Sequence, residues 1–225
     1  MCVDEVERAD YAPFVPPSQL LLHPPMHGLP QVMNWMMEAI KEPTLIVIDD
    51  DFVGVRVMVG SKRFTMDPDE ILAILENAAQ CCEDLGLTAF GFARTANSVL
   101  LKPELRPILA AGPVMNCRGF MGAARHRRFD VTLHGRSDVD WTLRTLLEDR
   151  CVYLDTRFYF DCGRVYSGRG GSVGLITPEV FEHSSRTLRK RWGKHVSFKA
   201  PGWQKQRDTP ALRIDVRRQN KGAQR

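Results

Sequence analysis

The run Thr44–Ile48 (TLIVI) is followed at once by Asp49-Asp50-Asp51, and this junction constrains the fold more than any other stretch. A short, β-branched run with no charged break reads as a strand buried on both faces. Sheets covered on both sides belong to α/β proteins, whose ligands lie in the crevice at the carboxyl ends of the strands. The three acids therefore face such a crevice. Adjacent carboxylates repel one another unless a cation neutralises them, and their oxygens suit hard ions such as magnesium or manganese. The competing account is a polar turn with Asp50 as a cap.

The rest of the chain alternates in kind, as an α/β sandwich requires. Gln31–Ile40 reads as a short helix leading into the strand, behind a proline-punctuated segment that contains Leu20-Leu21-Leu22 and reads as a surface wrap. Phe52–Val59 is a second strand. Pro68–Leu85 is the clearest helix: Asp67 caps it, Pro68 takes the first helical position, Glu70 completes a capping box and Gly86 stops it. Thr88–Phe92, Val114–Phe120, Phe129–Leu133, Cys151–Leu154 and Phe158–Phe160 read as strands, and Pro103–Gly112 as loop. Val139–Asp149 reads as a second amphipathic helix, and Thr177-Pro178-Glu179 opens a last helix to about Trp192.

At 225 residues and 44% hydrophobic composition, the chain suits a single domain over 1–216, with a basic tail over 217–225. No apolar run approaches the roughly 20 residues that span a bilayer, and no basic-then-apolar leader opens the sequence, so the expectation is a cytoplasmic protein with no membrane partner. Six cysteines without CxxC spacing fit reduced thiols better than a disulfide framework or a zinc site. The net charge of +4 is unevenly spread: Arg186–Arg225 holds 13 Lys/Arg against 2 Asp/Glu, and the remainder 18 against 25. A basic end interleaved with Trp192 and Trp203 fits a polyanion with bases to stack on, and so points to nucleic acid; Arg189, Arg191, Trp192, Lys194 and Lys199 are the residues expected to touch it. The plainer account is a solubility tail.

Three further groups carry chemistry. Ser137-Asp138-Val139-Asp140 opens a helix, and two readings stand side by side. Ser137 and Asp140 form a capping-box variant, while Asp138 sits where a carboxylate can take a proton from an acceptor hydroxyl. Gly168-Arg169-Gly170-Gly171 lies in a segment, Gly163–Gly174, with five glycines, whose backbone amides can approach a phosphate or sugar; it fits neither a P-loop nor a dinucleotide fingerprint. His183 and His195 are each within reach of a metal in principle. No Ser-His-Asp order or Cys-His pair stands out, which disfavours a covalent nucleophile.

Taken in order, LIVIDDD, then FDVTLHGRSDVDWTLRTLL, then YLDTRFYFD and a GRGG loop resemble the A-type glycosyltransferase fold. The likeness runs over roughly Pro30–Val216 and is greatest to the TET-associated glycosyltransferases of bacteriophages, relatives of the base J glucosyltransferase. It implies a mixed sheet flanked by helices; the sequence departs from the family in beginning at what looks like the second strand of that fold, so that the usual first strand is missing, replaced or supplied by a partner. The likeness implies that Asp49 and Asp51 are the outer members of a DxD motif on Mn2+ or Mg2+; His195 is a further candidate ligand on its residue type alone. Asp49 and Asp50, with Gly170 and Gly171, would hold the UDP-sugar donor. Asp138 would be the general base, with Ser137 where many such enzymes carry glutamate. The acceptor implied is 5-hydroxymethylcytosine in DNA, and the setting the bacterial host cytoplasm. The rivals are a metal-dependent nuclease, a non-catalytic nucleic-acid-binding module, and a transferase acting on protein or carbohydrate. Oligomeric state is not legible in the sequence.

Overall fold

A computed structural model describes residues 1–59, 62–93, 108–110, 114, 116–162, 175–198 and 212–214. In chain order the elements are β1 (Cys2–Asp4), α1 (Arg8–Tyr11), β2 (Leu21–His23), α2 (Leu29–Ala39), β3 (Thr44–Ile48), β4 (Gly54–Val59), β5 (Lys62–Thr65), α3 (Pro68–Asp84), β6 (Ala89–Ala93), β7 (Ile108–Ala110), β8 (Cys117–Met121), α4 (Ser137–Glu148), β9 (Val152–Asp161), α5 (Pro178–Trp192), β10 (Val196–Phe198) and β11 (Leu212–Ile214). The protein is α/β, with one mixed sheet between helices. Its main path runs β3-β8-β6-β9-β4-β5, and β7 pairs with β9 beside that path. Two small sheets, β1-β2 parallel and β10-β11 antiparallel, stand apart from it. None of the described helices is long and apolar enough to cross a membrane.

Alternation along the strands separates two cores. On one face Met33, Met36 and Met37 of α2 and Trp141 and Leu146 of α4 pack on Leu45, Phe120, Val152 and Leu154. On the other, Ile74, Leu75, Ala78 and Cys82 of α3 pack on Val55, Phe90, Phe92, Tyr153 and Phe160. A third cluster joins Val139 and Leu143 on the outer side of α4 to Leu188 of α5 and Val196 of β10. The start of α3 is as the sequence reads: Asp67 accepts from the Asp69 backbone, and the reciprocal capping box with Glu70 is present.

β6 and β8 are keyed together by a missing side chain. A Cβ at Gly119 would lie only 2.0 Å from Cε1 of the Phe90 ring, which is fully buried. Gly119→Ala is therefore expected to destabilise the fold by about 3 kcal/mol, the upper end of the range for overpacked cores. Urea unfolding measures this, and an unchanged midpoint would mean that the ring is not held against the glycine.

Several sequence expectations are corrected. Phe129–Leu133 is not a strand. The Asn34 amide donates to the Phe129 carbonyl at 3.0 Å and accepts from its N–H at 2.7 Å, and Asp130 receives the Thr132 N–H in a tight turn, so this backbone is satisfied without a ladder. Cys151–Leu154 and Phe158–Phe160 are parts of one strand, β9. Phe92 lies opposite Asp155 while the next residue, Ala93, lies opposite Tyr159, and this bulge breaks the alternation that would reveal a single strand. Ile108–Ala110, within the expected loop, is a strand on β9.

Candidate functional site

β3 and β6 both run antiparallel to β8, and β6 runs parallel to β9. The carboxyl ends of β3, β6 and β9 therefore share one edge of the sheet, where ligands of α/β proteins collect. The acid turn is built on that edge. The Asp49 N–H donates to the Asn116 carbonyl at 2.9 Å, the Phe52 N–H to the Asp49 carbonyl at 3.2 Å, and the Val53 N–H to the Asp161 carbonyl at 2.7 Å. Asn116 holds the left-handed conformation, with φ of 59°, and its amide donates to the Phe160 carbonyl at 3.1 Å. The turn is thus tied to the start of β8 and the end of β9. Asp50 and Asp51 are exposed on it, and Asp49 is half-buried.

Arg118, on β8, lies opposite Val47 of β3 and Gly91 of β6. It alternates with Cys117 and Gly119, so its side chain falls on the α2/α4 face, buried at 5% exposure. Its Nη2 donates to Asp49 Oδ1 at 2.7 Å. Burial pushes the Asp49 carboxyl above its ordinary range; Arg118 opposes this, and the charges of Asp51, Asp138 and Asp50 add to it. Four carboxylates thus share one field with Arg118. On the far side, burial pushes the Cys162 thiol up to about 12, helped by Asp49 and Asp51 and by its hydrogen bond to Asp51. Cys117 is likewise pushed up by burial, with Arg118 opposing. Both thiols are therefore protonated at neutral pH. All six cysteines are free.

Asp138 reaches the same place from α4. Burial pushes its carboxyl up; the charge of Arg118, the Val139 N–H and the charge of Arg136 oppose that in turn. It keeps partial solvent access all the same. Arg136 is clamped beside it, its Nε donating to Ser185 Oγ at 3.0 Å and its guanidinium 5.4 Å from the ring centres of Phe181 and Phe198.

The capping-box reading of this helix is corrected. Helix α4 begins at Ser137, and no side chain caps it. Asp140 is fully buried and faces the other way: it accepts from Arg144 Nε at 3.0 Å, Arg191 Nη1 at 2.7 Å and Trp192 Nε1 at 2.9 Å. Arg191 also grips Asp130 through Nη2 at 2.7 Å. Arg191 and Trp192, expected on a DNA-facing surface, thus spend their polar ends fastening α5 to α4. Arg189 lies over the Phe198 ring at 4.6 Å, and Lys190 and Lys194 are exposed. Gly170, Gly171, Lys199 and Trp203 lie outside the described residues.

Among the described residues no three His, Cys, Asp or Glu side chains form a ready metal cage, and His195, in the turn Gly193–His195 after α5, joins no such group. The acid turn still fits an ion shared with a ligand. Magnesium is commonly held by one or two carboxylates plus waters and substrate phosphates, and Asp49 and Asp51 supply two carboxylates within one field of excess negative charge.

Sequence reasoning missed Arg118, Cys162 and Tyr11. The tyrosine, at the end of α1, feels the charge of Asp50 after burial and Glu7, which sets the N-terminal segment against the acid turn. Arg118 had a signal, since a cation inside an apolar strand is buried only when something pairs with it.

No protein-family model matches the sequence, and no curated protein or solved structure matches it either.

Proposed function

We propose that the chain is a metal-dependent hexosyltransferase of the A-type glycosyltransferase kind, moving a hexose from a UDP-sugar to a hydroxyl of DNA, with 5-hydroxymethylcytosine as the acceptor. The observation that carries this reading is the meeting of the Asp49–Asp51 turn with Asp138 at the carboxyl edge of the sheet, close enough that the charge of Asp138 helps to raise the Asp49 carboxyl and that Arg118, which holds Asp49, is the leading charge on Asp138. Asp49 and Asp51 are the side chains that would hold a divalent ion, whose contribution would be to neutralise the departing diphosphate. Asp138 accepts the proton of the attacking hydroxyl as the new bond from oxygen to the anomeric carbon forms, and the old bond to phosphate oxygen breaks with its electron pair on the diphosphate. A raised carboxyl suits a general base working near neutral pH. The exposed cations Arg186, Arg189, Lys190 and Lys194 around α5 supply the phosphate-facing surface, a role that Arg191 and Trp192 cannot share while they fasten the helix.

Mass spectrometry of hydroxymethylated and plain DNA, incubated with manganese and a panel of sugar nucleotides, tests the reading. A hexose gained by hydroxymethylated DNA alone supports it. No adduct from any donor defeats it, and DNA cut without a sugar nucleotide would replace it with a nuclease. A narrower expectation concerns the turn. Asp51→Asn is expected to stay folded, since Asp51 is exposed, and to lose manganese-dependent binding of uridine diphosphate in calorimetry. Unchanged affinity removes Asp51 from the ion.

A further inference from the structure

Two arginines that serve the fold use several nitrogens at once. Arg157 grips Asp155 through Nε at 2.9 Å and Nη2 at 2.6 Å. Arg127 spreads over Thr145, Glu148 and Asp149. Arg125 and Arg128 each leave one buried nitrogen, Nη1, without a partner; Arg118 leaves two, meeting Asp49 end-on through Nη2 alone while its Nε and Nη1 are buried with no hydrogen-bond partner. Such groups are normally paired, and each exception calls for an explanation. Asp138 lies in the field of the same guanidinium, which is the leading charge acting on its carboxyl.

A guanidinium and a divalent ion on one carboxylate repel, so each weakens the other's hold on Asp49. Resting on the metal-dependent reading above, we propose that Arg118 is the internal occupant of the ion site: it holds Asp49 until a divalent ion arrives, then turns its unpartnered edge to Asp138. The affinity of the acid turn for its ion is then set by an exchange of cations. Loading the ion delivers a hydrogen-bond donor and a positive charge to the carboxylate that takes the acceptor proton, so the two halves of the site are coupled through one side chain.

Two measurements on the full chain at pH 8, chosen to keep protons from competing, test this. In nitrogen-15 NMR the Arg118 Nε–Hε signal, assigned by its loss in Arg118→Lys, is expected to move in step with magnesium occupancy. In calorimetry Arg118→Met is expected to bind manganese on the order of tenfold to a hundredfold more tightly than the parent, with Arg118→Lys close to the parent. An unmoved signal at saturating magnesium, or Arg118→Met binding no more tightly, overturns the proposal; should Arg118→Met fail to fold, the signal in the parent decides. An ion bound by the parent, lost in Asp51→Asn and indifferent to Arg118 sinks the exchange alone. No ion bound by the parent or either Arg118 variant sinks the metal reading with it.

Discussion

Asp138→Asn is expected to keep donor binding and to slow transfer by about a hundredfold to ten-thousandfold, the usual loss when a general base is removed. The same change is expected to stabilise the ligand-free fold at neutral pH. Burial raises the Asp138 carboxyl above its ordinary value of 3.8, so between that value and the folded one the native state holds the proton more firmly than the unfolded chain. Stability from this group is then fully present below the ordinary value and lost as pH rises through the folded value. Asparagine has no such loss. Thermal melts from pH 3.5 to 7.5 should show the variant gaining on the parent as pH rises and converging with it in acid. Near-normal turnover would leave Asp138 with no catalytic part. A variant less stable than the parent at pH 7 would show that the charged carboxylate holds the helix start and that its environment favours the ion.

The second large effect lies at the joint between α4 and α5. Replacing both Arg144 and Arg191 by Met leaves the fully buried Asp140 carboxylate with only the Trp192 indole, and is expected to lower stability by about 3–5 kcal/mol, as stripping a buried charge of its partners does. Adding Asp140→Leu to that pair should recover part of the loss, because an apolar group of similar size has no charge to leave stranded. Urea unfolding of the three chains decides it. If the triple variant is no more stable than the double, the buried charge was not the source of the loss. The joint also separates fold from binding: weaker DNA binding in an Arg191 variant would report a loosened helix, so the phosphate contact is better probed at Lys190 and Lys194, which are exposed.

What the sequence made legible was local. The β3 run, the acid turn behind it and the capping box of α3 are each specified within a few residues, and the structure has them where the pattern puts them. What it hid depends on partners distant in sequence. Charge counting saw Arg191 as one of many cations, but its two carboxylates lie 51 and 61 positions away. Asp138 and Asp140 look interchangeable at a helix start, yet they point into different layers, and only the packing of α5 on α4 tells them apart. Phe129 has the composition of a strand and is satisfied by an asparagine 95 residues earlier. Arg118 is easily passed over because a strand pattern tolerates one polar residue, and its meaning appears only with its contact to Asp49 and its charge on Asp138.

The Gly119 notch also acts as a proofreader of strand alignment. Phe90 can lie flat only where its neighbour on β8 has no side chain, so β6 and β8 find one phase and reject the adjacent ones. A slip of one residue would exchange the faces of Cys117 and Arg118, driving a guanidinium into the greasy underside of α3 and leaving Asp49 facing a thiol. A single hydrogen atom standing in for a side chain thus decides which way the charge of the neighbouring residue points.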